Sequence, residues 1–283
     1  MLRQNISIAD SSVTKTGISA KHFLIVKISK NNMVYSVLDT SQNTFVAFGS
    51  WIWPAEEEFS GLTHLTNNFT DKSFILKQNF GKTLILLDSD IYTLIPEKLF
   101  ITERAKEYLE FSHTFNSNEN IASDNISKIS AKNIYWLPSD IENLFAKTLM
   151  NFEYRHVATI LINSALINTP HRKQVNANIS GNRLDIIVTD NNRLNFCNSF
   201  FFDTAQDIIY YLFNVYRQQN IKTSIPLLLT GEIDKDSLAF TTIYKYIRNI
   251  SFTKNSEIYQ YCSEMKELKL TSYYSLFNAF LCV

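Results

Sequence analysis

Two stretches of this chain repeat each other without a gap. Val26–Phe45 reads VKISKNNMVYSVLDTSQNTF, and Ala177–Phe196 reads ANISGNRLDIIVTDNNRLNF. At a constant offset of 151, Ile28 meets Ile179, Ser29 meets Ser180, Asn31 meets Asn182, Val37 meets Val188, Asp39 meets Asp190 and Phe45 meets Phe196. Each copy reads as a strand, a polar tight turn, a second strand and another turn. A unit of this kind, duplicated in a chain of 283 residues, predicts two similar halves facing a cleft.

The second half reads most clearly. Strands are expected over Val175–Ser180, Arg183–Thr189 and Arg193–Phe200, joined at Gly181–Asn182 and Asn191–Asn192. Asp203 or Thr204 then caps a helix, with Gln206 placed to reach back and Ile208, Ile209, Leu212 and Val215 as its buried stripe. Pro226–Thr230 is an apolar strand, Asp234 opens a helix to about Arg248, a strand lies near Ile258–Cys262, and Tyr273–Val283 docks as a last core element. Three antiparallel-capable strands, a helix, a strand and a helix is the order of a ribonuclease-H-like unit.

The first half shows the same opening: His22–Ser29, Met33–Asp39 and Asn43–Phe48. A helix opens at Pro54 with Glu56, Glu57 and Glu58 in its first turn, where carboxylates favour the helix dipole. Strands follow at Ser73–Gln78 and Thr83–Leu87, then Tyr92–Phe100 with Pro96 stopping a strand, and a helix over Thr102–Leu109. Asn116–Ser130 reads as an Asn/Ser-rich surface loop. After a short strand at Ile134–Leu137, Ser139 and Asp140 cap a helix with Glu142 as capping-box partner, and a second helix spans His156–Ile167. Residues 1–20 read as a polar lead-in, and Thr169–Lys173 as the boundary between halves.

Composition removes several function classes. Twenty-seven basic and 27 acidic residues balance, which leaves no general electrostatic grip on nucleic acid or anionic lipid. Arg155, His156, His171, Arg172 and Lys173 form the nearest thing to a local basic patch. Cys197, Cys262 and Cys282 offer neither a disulfide framework nor zinc-finger spacing, and no apolar run is long enough to span a bilayer. A cytoplasmic protein is the expectation.

YTLIPEKLF at Tyr92–Phe100, NSFFFDTAQDIIYYLFNVYRQQ at Asn198–Gln219 and PLLLTGEI at Pro226–Ile233 resemble the actin-like ATPase superfamily. That superfamily includes actin, sugar kinases, heat-shock chaperone ATPases, and the cell-division and pilus-assembly actin-like proteins. The chain is most similar to an uncharacterised bacterial family of that fold. The resemblance implies an α/β architecture of two ribonuclease-H-like lobes, at 21–170 and 171–283. Residues 73–111 are then the counterpart of the small subdomain that the pilus and division proteins insert in the first half.

The resemblance also implies a nucleotide site, and the matching positions depart from it. Where the superfamily's first hairpin resembles Asp-Ile-Gly-Ser/Thr, this chain has Lys27-Ile28-Ser29-Lys30. The second hairpin resembles Asp-Ile-Gly-Gly-Gly-Thr-Thr-Asp, and here Asn178, Ser180, Gly181 and Asp185 stand in that pattern. The paired glycines of the adenosine-binding strand end become Gly231 and Glu232. Magnesium wants hard oxygen ligands, and phosphate needs bare backbone to approach. A lysine, an asparagine, two serines and a glutamate at these positions oppose both. The expectation is a degenerate nucleotide site on a non-catalytic scaffold with an unknown protein partner or self-association, and no cofactor. The alternative is an ATPase or small-molecule kinase with altered phosphate loops that takes ATP and magnesium, with Lys27 and Lys30 contacting phosphate directly in place of metal, or Asp185 taking over some of the metal binding.

Overall fold

The computed structural model describes residues 3–10, 13, 17–54, 78–114, 120–149, 151–168 and 172–282. The expected acidic helix at Glu56–Glu58, most of the strand at Ser73–Gln78 and part of the boundary at Thr169–Lys173 lie outside them. The chain divides into two compact units. The first holds Met1–Ile126, Ser130–Thr159 and Ser256–Leu268; the second holds Ser127–Ile129, Ile160–Asn255 and Lys269–Val283.

In chain order the first unit forms β1 (Arg3–Ala9), β2 (His22–Ile28), β3 (Asn32–Asp39), β4 (Thr44–Ile52), β5 (Lys82–Leu87) and β6 (Tyr92–Pro96). It continues through α1 (Ala105–Glu110), β7 (Asn120–Ile126), β8 (Ala131–Leu137), α2 (Ser139–Thr148) and β9 (Phe152–His156). Helix α3 (Val157–Asn168) leads into the second unit. There follow β10 (Gln174–Ser180), β11 (Arg183–Asp190), β12 (Arg193–Phe201), α4 (Ala205–Gln218), β13 (Leu227–Gly231), α5 (Leu238–Tyr246) and β14 (Ile250–Phe252). The short β15 (Gln260–Tyr261) pairs with β4 of the first unit, and α6 (Tyr274–Asn278) lies in the second. The segment 256–268 therefore belongs to the first unit, although the sequence reading placed it in the second half.

The duplication is visible in the topology. One sheet runs β1-β4-β3-β2-β5-β9, and the other β12-β11-β10-β13-β14. In each, three consecutive antiparallel strands (β2-β3-β4 and β10-β11-β12) are extended through the first of them by a parallel strand (β5, β13), which takes a second parallel strand (β9, β14) on its far side. Strands β2 and β3 are buried on both faces, as their nearly continuous apolar runs require. The two opening hairpins share register: Ile28 sits opposite Met33, and Ile179 opposite Leu184. The next hairpins share a β-bulge, between Val37 and Leu38 in one and Val188 and Thr189 in the other.

Beyond that bulge the gap-free match fails. Leu38 pairs with Phe45, whereas Thr189 pairs with Leu194, so the structural counterpart of Phe45 is Leu194 and not Phe196. The first turn spans four residues between Asp39 and Thr44. The second is the two-residue turn Asn191–Asn192, both residues having positive φ, a conformation Asn tolerates well. The repeated acid at the turn has a structural use in both copies: Asp39 pairs with Lys21 at 2.9 Å, and Asp190 with Lys173 at 3.4 Å.

Other sequence expectations need correction. Residues 1–20 are more than a lead-in, because β1 pairs antiparallel with β4 along its outer edge. The Asn/Ser-rich stretch contains β7, whose Asp124 and Ile126 point inward. β5 belongs to the main sheet, so the small sheet (order β6-β8-β7) starts at Tyr92. Asp207, not Gln206, completes the capping box with Thr204. Helix α5 starts later than Asp234, capped by Ser237. At α2 the N-cap is Pro138 with no side-chain cap, and the Glu142 carboxylate instead accepts from the Asn120 amide. Trp51 and Trp53, by contrast, pack in the first core as their apolar surroundings in sequence suggest; Trp51 stacks on Tyr35, and Trp53 Nε1 donates to the Lys30 carbonyl at 2.8 Å.

Candidate functional site

The candidate residues fall on equivalent hairpins, one in each unit. In the second, four strands lay a row of polar side chains side by side. Register sets Ser199 (β12) opposite Asp185 (β11), Asp185 opposite Asn178 (β10), and Asn178 beside Thr230 (β13). The Asp185 carboxylate accepts from Ser199 Oγ at 2.7 Å, from Asn178 Nδ2 at 3.0 Å and from Arg183 Nε at 2.9 Å. Arg183 and Asp185 are two apart on one strand, hence on one face, and Arg183 Nη2 adds a 3.4 Å contact. Thr230 Oγ1 donates to Asn178 Oδ1 at 3.1 Å. Asn178, Asp185 and Thr230 are buried and Ser199 is half-buried, and Asp185 receives a fork of guanidinium donors.

The first unit keeps the frame and changes the charges. Through the same registers the row becomes Ser50, Val34, Lys27 and Leu86. Val34 stands where Asp185 stands, so Lys27 has no acid across the hairpin. Its ammonium turns to Asp88, just past the end of β5, at 3.1 Å. Both side chains are at least nine-tenths buried. The backbone amide of Asp88 donates to the Ile28 carbonyl at 2.8 Å, and the equivalent amide in the second unit, that of Glu232, donates to Ile179 at 2.7 Å. Asp88 and Glu232 are thus acids at matching strand ends. Sequence reading found Glu232 and missed Asp88. The run Leu86-Leu87-Asp88, a strand ending in an acid, was the available signal.

The turns are closed by their own chain. The Ser29 amide donates to the Asn32 carbonyl at 2.9 Å, and Ser29 Oγ reaches Asn31 Oδ1 at 3.5 Å. Lys30, half-exposed, lies 3.8 Å from Asp90. In the second unit Ser180 ends β10, paired with Arg183, and the Gly181 amide donates to Glu232 Oε2 at 3.3 Å. Gly231 has φ of +85°, and a Cβ there would lie 2.0 Å from the Ile179 carbonyl oxygen.

A separate buried group centres on Asp124. Its carboxylate accepts from the His156 amide at 2.7 Å, Thr159 Oγ1 at 2.7 Å and Tyr135 OH at 2.9 Å, with Arg155 Nη1 at 3.9 Å. It ties β7 and β8 to the end of β9 and the start of α3. His156 caps α3: its Nδ1 accepts from the Ala158 amide at 3.1 Å, so Nε2 carries the proton and donates to the Ser89 carbonyl at 3.1 Å. That tautomer rules out His156 Nε2 as a base toward Ser89 Oγ, 3.3 Å away.

Burial dominates at Asp124 and, against these donors, pushes its carboxyl up to about 6. The folded chain then binds a proton between the unfolded value of 3.8 and about 6 that the unfolded chain has released. Stability from this group is therefore present at low pH and lost as pH rises toward 6. Relative to Asp124→Asn, the wild-type chain should gain about 3 kcal/mol between neutrality and pH 4, at about 1.4 kcal/mol per unit. Denaturant titrations of both proteins at the two pH values measure this difference.

A family described as "Protein of unknown function (DUF3822)" matches residues 11–250. No curated protein matches the sequence. Among solved structures, a Bacteroides thetaiotaomicron protein described as having an actin-like ATPase fold and unknown function superposes with a TM-score of 0.73 at 20% identity. The alignment covers 83% of this chain and 91% of that one. The PilM–PilN type IV pilus biogenesis complex contributes a chain with a TM-score of 0.57 at 10% identity, over 92% of this chain and 96% of that one. The chain has an actin-like ATPase fold and belongs to the DUF3822 family.

Proposed function

We propose that this protein is a non-catalytic actin-like scaffold, in which internal counter-ions hold the positions that a metal–nucleotide would otherwise engage. One observation carries the reading: the two charged candidates inside the sheets are already neutralised by buried partners, Asp185 by Arg183 and Lys27 by Asp88. A carboxylate saturated by a guanidinium, a hydroxyl and an amide has little left for a hard divalent cation, which asks for several oxygens. An ammonium paired to a carboxylate in a buried setting is not available to phosphate without breaking that pair. The donor set therefore fits ATP and magnesium poorly, and no catalytic step is assigned. Glu232 on the Gly181 amide adds a negative charge where phosphate would need a free donor.

The role in an assembly is supported by the PilM–PilN neighbour, itself part of a complex. Among the described residues no helix is long and apolar enough to cross a membrane. The deciding experiment is a thermal-shift titration with MgATP, MgADP and MgGTP. No shift is expected at millimolar nucleotide. A ligand at 100 times its Kd would stabilise by about 2.7 kcal/mol. A clear rise that Lys27→Ala or Asp185→Ala abolishes would overturn this reading in favour of a nucleotide-binding protein with altered phosphate loops.

A further inference from the structure

Charge in the second unit is sorted by the ends of its sheet. Strands β10, β12, β13 and β14 begin at one end, where β11, α4 and α5 finish. The chain at that end exposes Arg172, Arg193, Arg217, Lys222, Lys245 and Arg248. Among the described residues the only acid there is Asp190, which is taken by Lys173 at 3.4 Å, and the six exposed cations form no ion pair. Asp203, Asp207, Glu232, Asp234 and Asp236 lie at the opposite end, so a neutral chain total conceals a strongly basic surface. Arg217 and Lys245, in the last turns of α4 and α5, offset the helix dipoles. That dipole fades within a turn and does not account for Arg172, Arg193 or Lys222.

Aromatic rings stand among these cations. Tyr246 is 56% exposed and meets Phe213 edge-on at 5.7 Å, one turn along α4 from Arg217. Arg248 lays its guanidinium 4.7 Å from the centre of the Tyr244 ring, itself 43% exposed. The Asn249 amide donates to the Ser224 carbonyl at 2.8 Å, which ties the connection carrying Lys222 to the one carrying Arg248. Across the 5-stranded sheet the basic end spans about 20 Å, room for several phosphates. Phosphates take Arg and Lys as partners, and unpaired bases stack on exposed Tyr rings and on guanidinium planes. We infer that this end of the second unit binds single-stranded nucleic acid, its phosphates along the cations and its bases on Tyr246 and the Tyr244–Arg248 pair. An acidic peptide or an anionic lipid surface would meet the charge but has no planar base for the rings. The inference goes beyond the scaffold reading and does not involve the hairpins of Lys27 and Asp185.

Fluorescence anisotropy of the full chain with labelled oligouridylate and oligothymidylate of about 20 nucleotides, in a salt series, tests it. Binding of either should appear at low salt, and log K should fall with log salt by about 0.7 for each phosphate engaged. The double variant Lys222→Ala/Arg248→Ala should flatten that slope by about 1.4 and weaken binding at low salt by about tenfold or more. Tyr246→Ala should weaken it by about tenfold with the slope unchanged, the mark of stacking rather than of charge. Lys235→Ala, at the acidic end, should change neither. All four side chains are exposed, so the melting temperatures should hold. No binding at low salt, or binding unmoved by these substitutions at the basic end, would overturn the inference. Polyglutamate or phosphatidylserine vesicles that compete as well as the oligonucleotides would also overturn it, because such a surface selects for charge alone. No readout involves MgATP, so failure here leaves the proposed function to its own thermal-shift test.

Discussion

Lys27→Met is expected to lower the unfolding free energy by about 3–5 kcal/mol, because it removes the ammonium that pairs with the buried Asp88 carboxylate. The side chains meet at 3.1 Å and both are at least nine-tenths buried, so water cannot take over the lost partner. The double variant Lys27→Met/Asp88→Leu should recover most of that loss, since removing a buried pair whole is often neutral. Chemical denaturation of the wild type, Lys27→Met, Asp88→Leu and the double variant closes the cycle. A single variant as stable as the wild type would show that Asp88 finds solvent or another donor, and the internal-counter-ion reading of the first hairpin would fail with it.

Gly231→Val should cost about 5 kcal/mol or prevent folding. Two effects add there. The residue has φ of +85°, which a side chain adopts at a cost of about 1–2 kcal/mol. The new Cβ would also meet the Ile179 carbonyl at 2.0 Å, and forced overpacking costs about 1–3 kcal/mol more, with a β-branched residue at the upper end. Gly181→Val, which shares positive φ but has nothing within 4 Å, should lose less than half as much. Equal losses at both positions would mean that the close approach of β13 to β10 plays no part. The comparison separates a packing role for Gly231 from any role as bare backbone for a ligand.

Much of this architecture can be read along the chain, and the failures have local causes. The duplicated hairpins are legible because β-branched and apolar residues recur at fixed offset between polar turns. β1 and β7 are not, because RQNISIA and NIASDNI mix Asn and Ser with isolated Ile. Their place in a sheet comes from neighbours distant in sequence, β4 for one and β8 for the other. β9 escapes notice for the same reason: FEYRH has almost no pattern of its own and is held as the parallel neighbour of β5. At the candidate site, the residue types could be named but not their partners. Lys27 and Asp88 are 61 positions apart, and only the parallel pairing of β2 with β5 brings them together. The pairing of Arg183 with Asp185 was open to inference from strand alternation. Asp124 was hidden inside a stretch whose composition suggested surface.

The bulge shared by the two sheets has a consequence for how the halves diverged. Both copies retain the extra residue at the same step after Val37 and Val188, yet the turns just beyond differ by two residues. Divergence has thus been free to lengthen the tip of this ribbon but not to iron out the kink beneath it. The coil that this kink imposes is the inherited element, and the exposed Ser41–Gln42 at the tip, whose hydrogen bonds stay within the turn, is the natural place to graft an epitope.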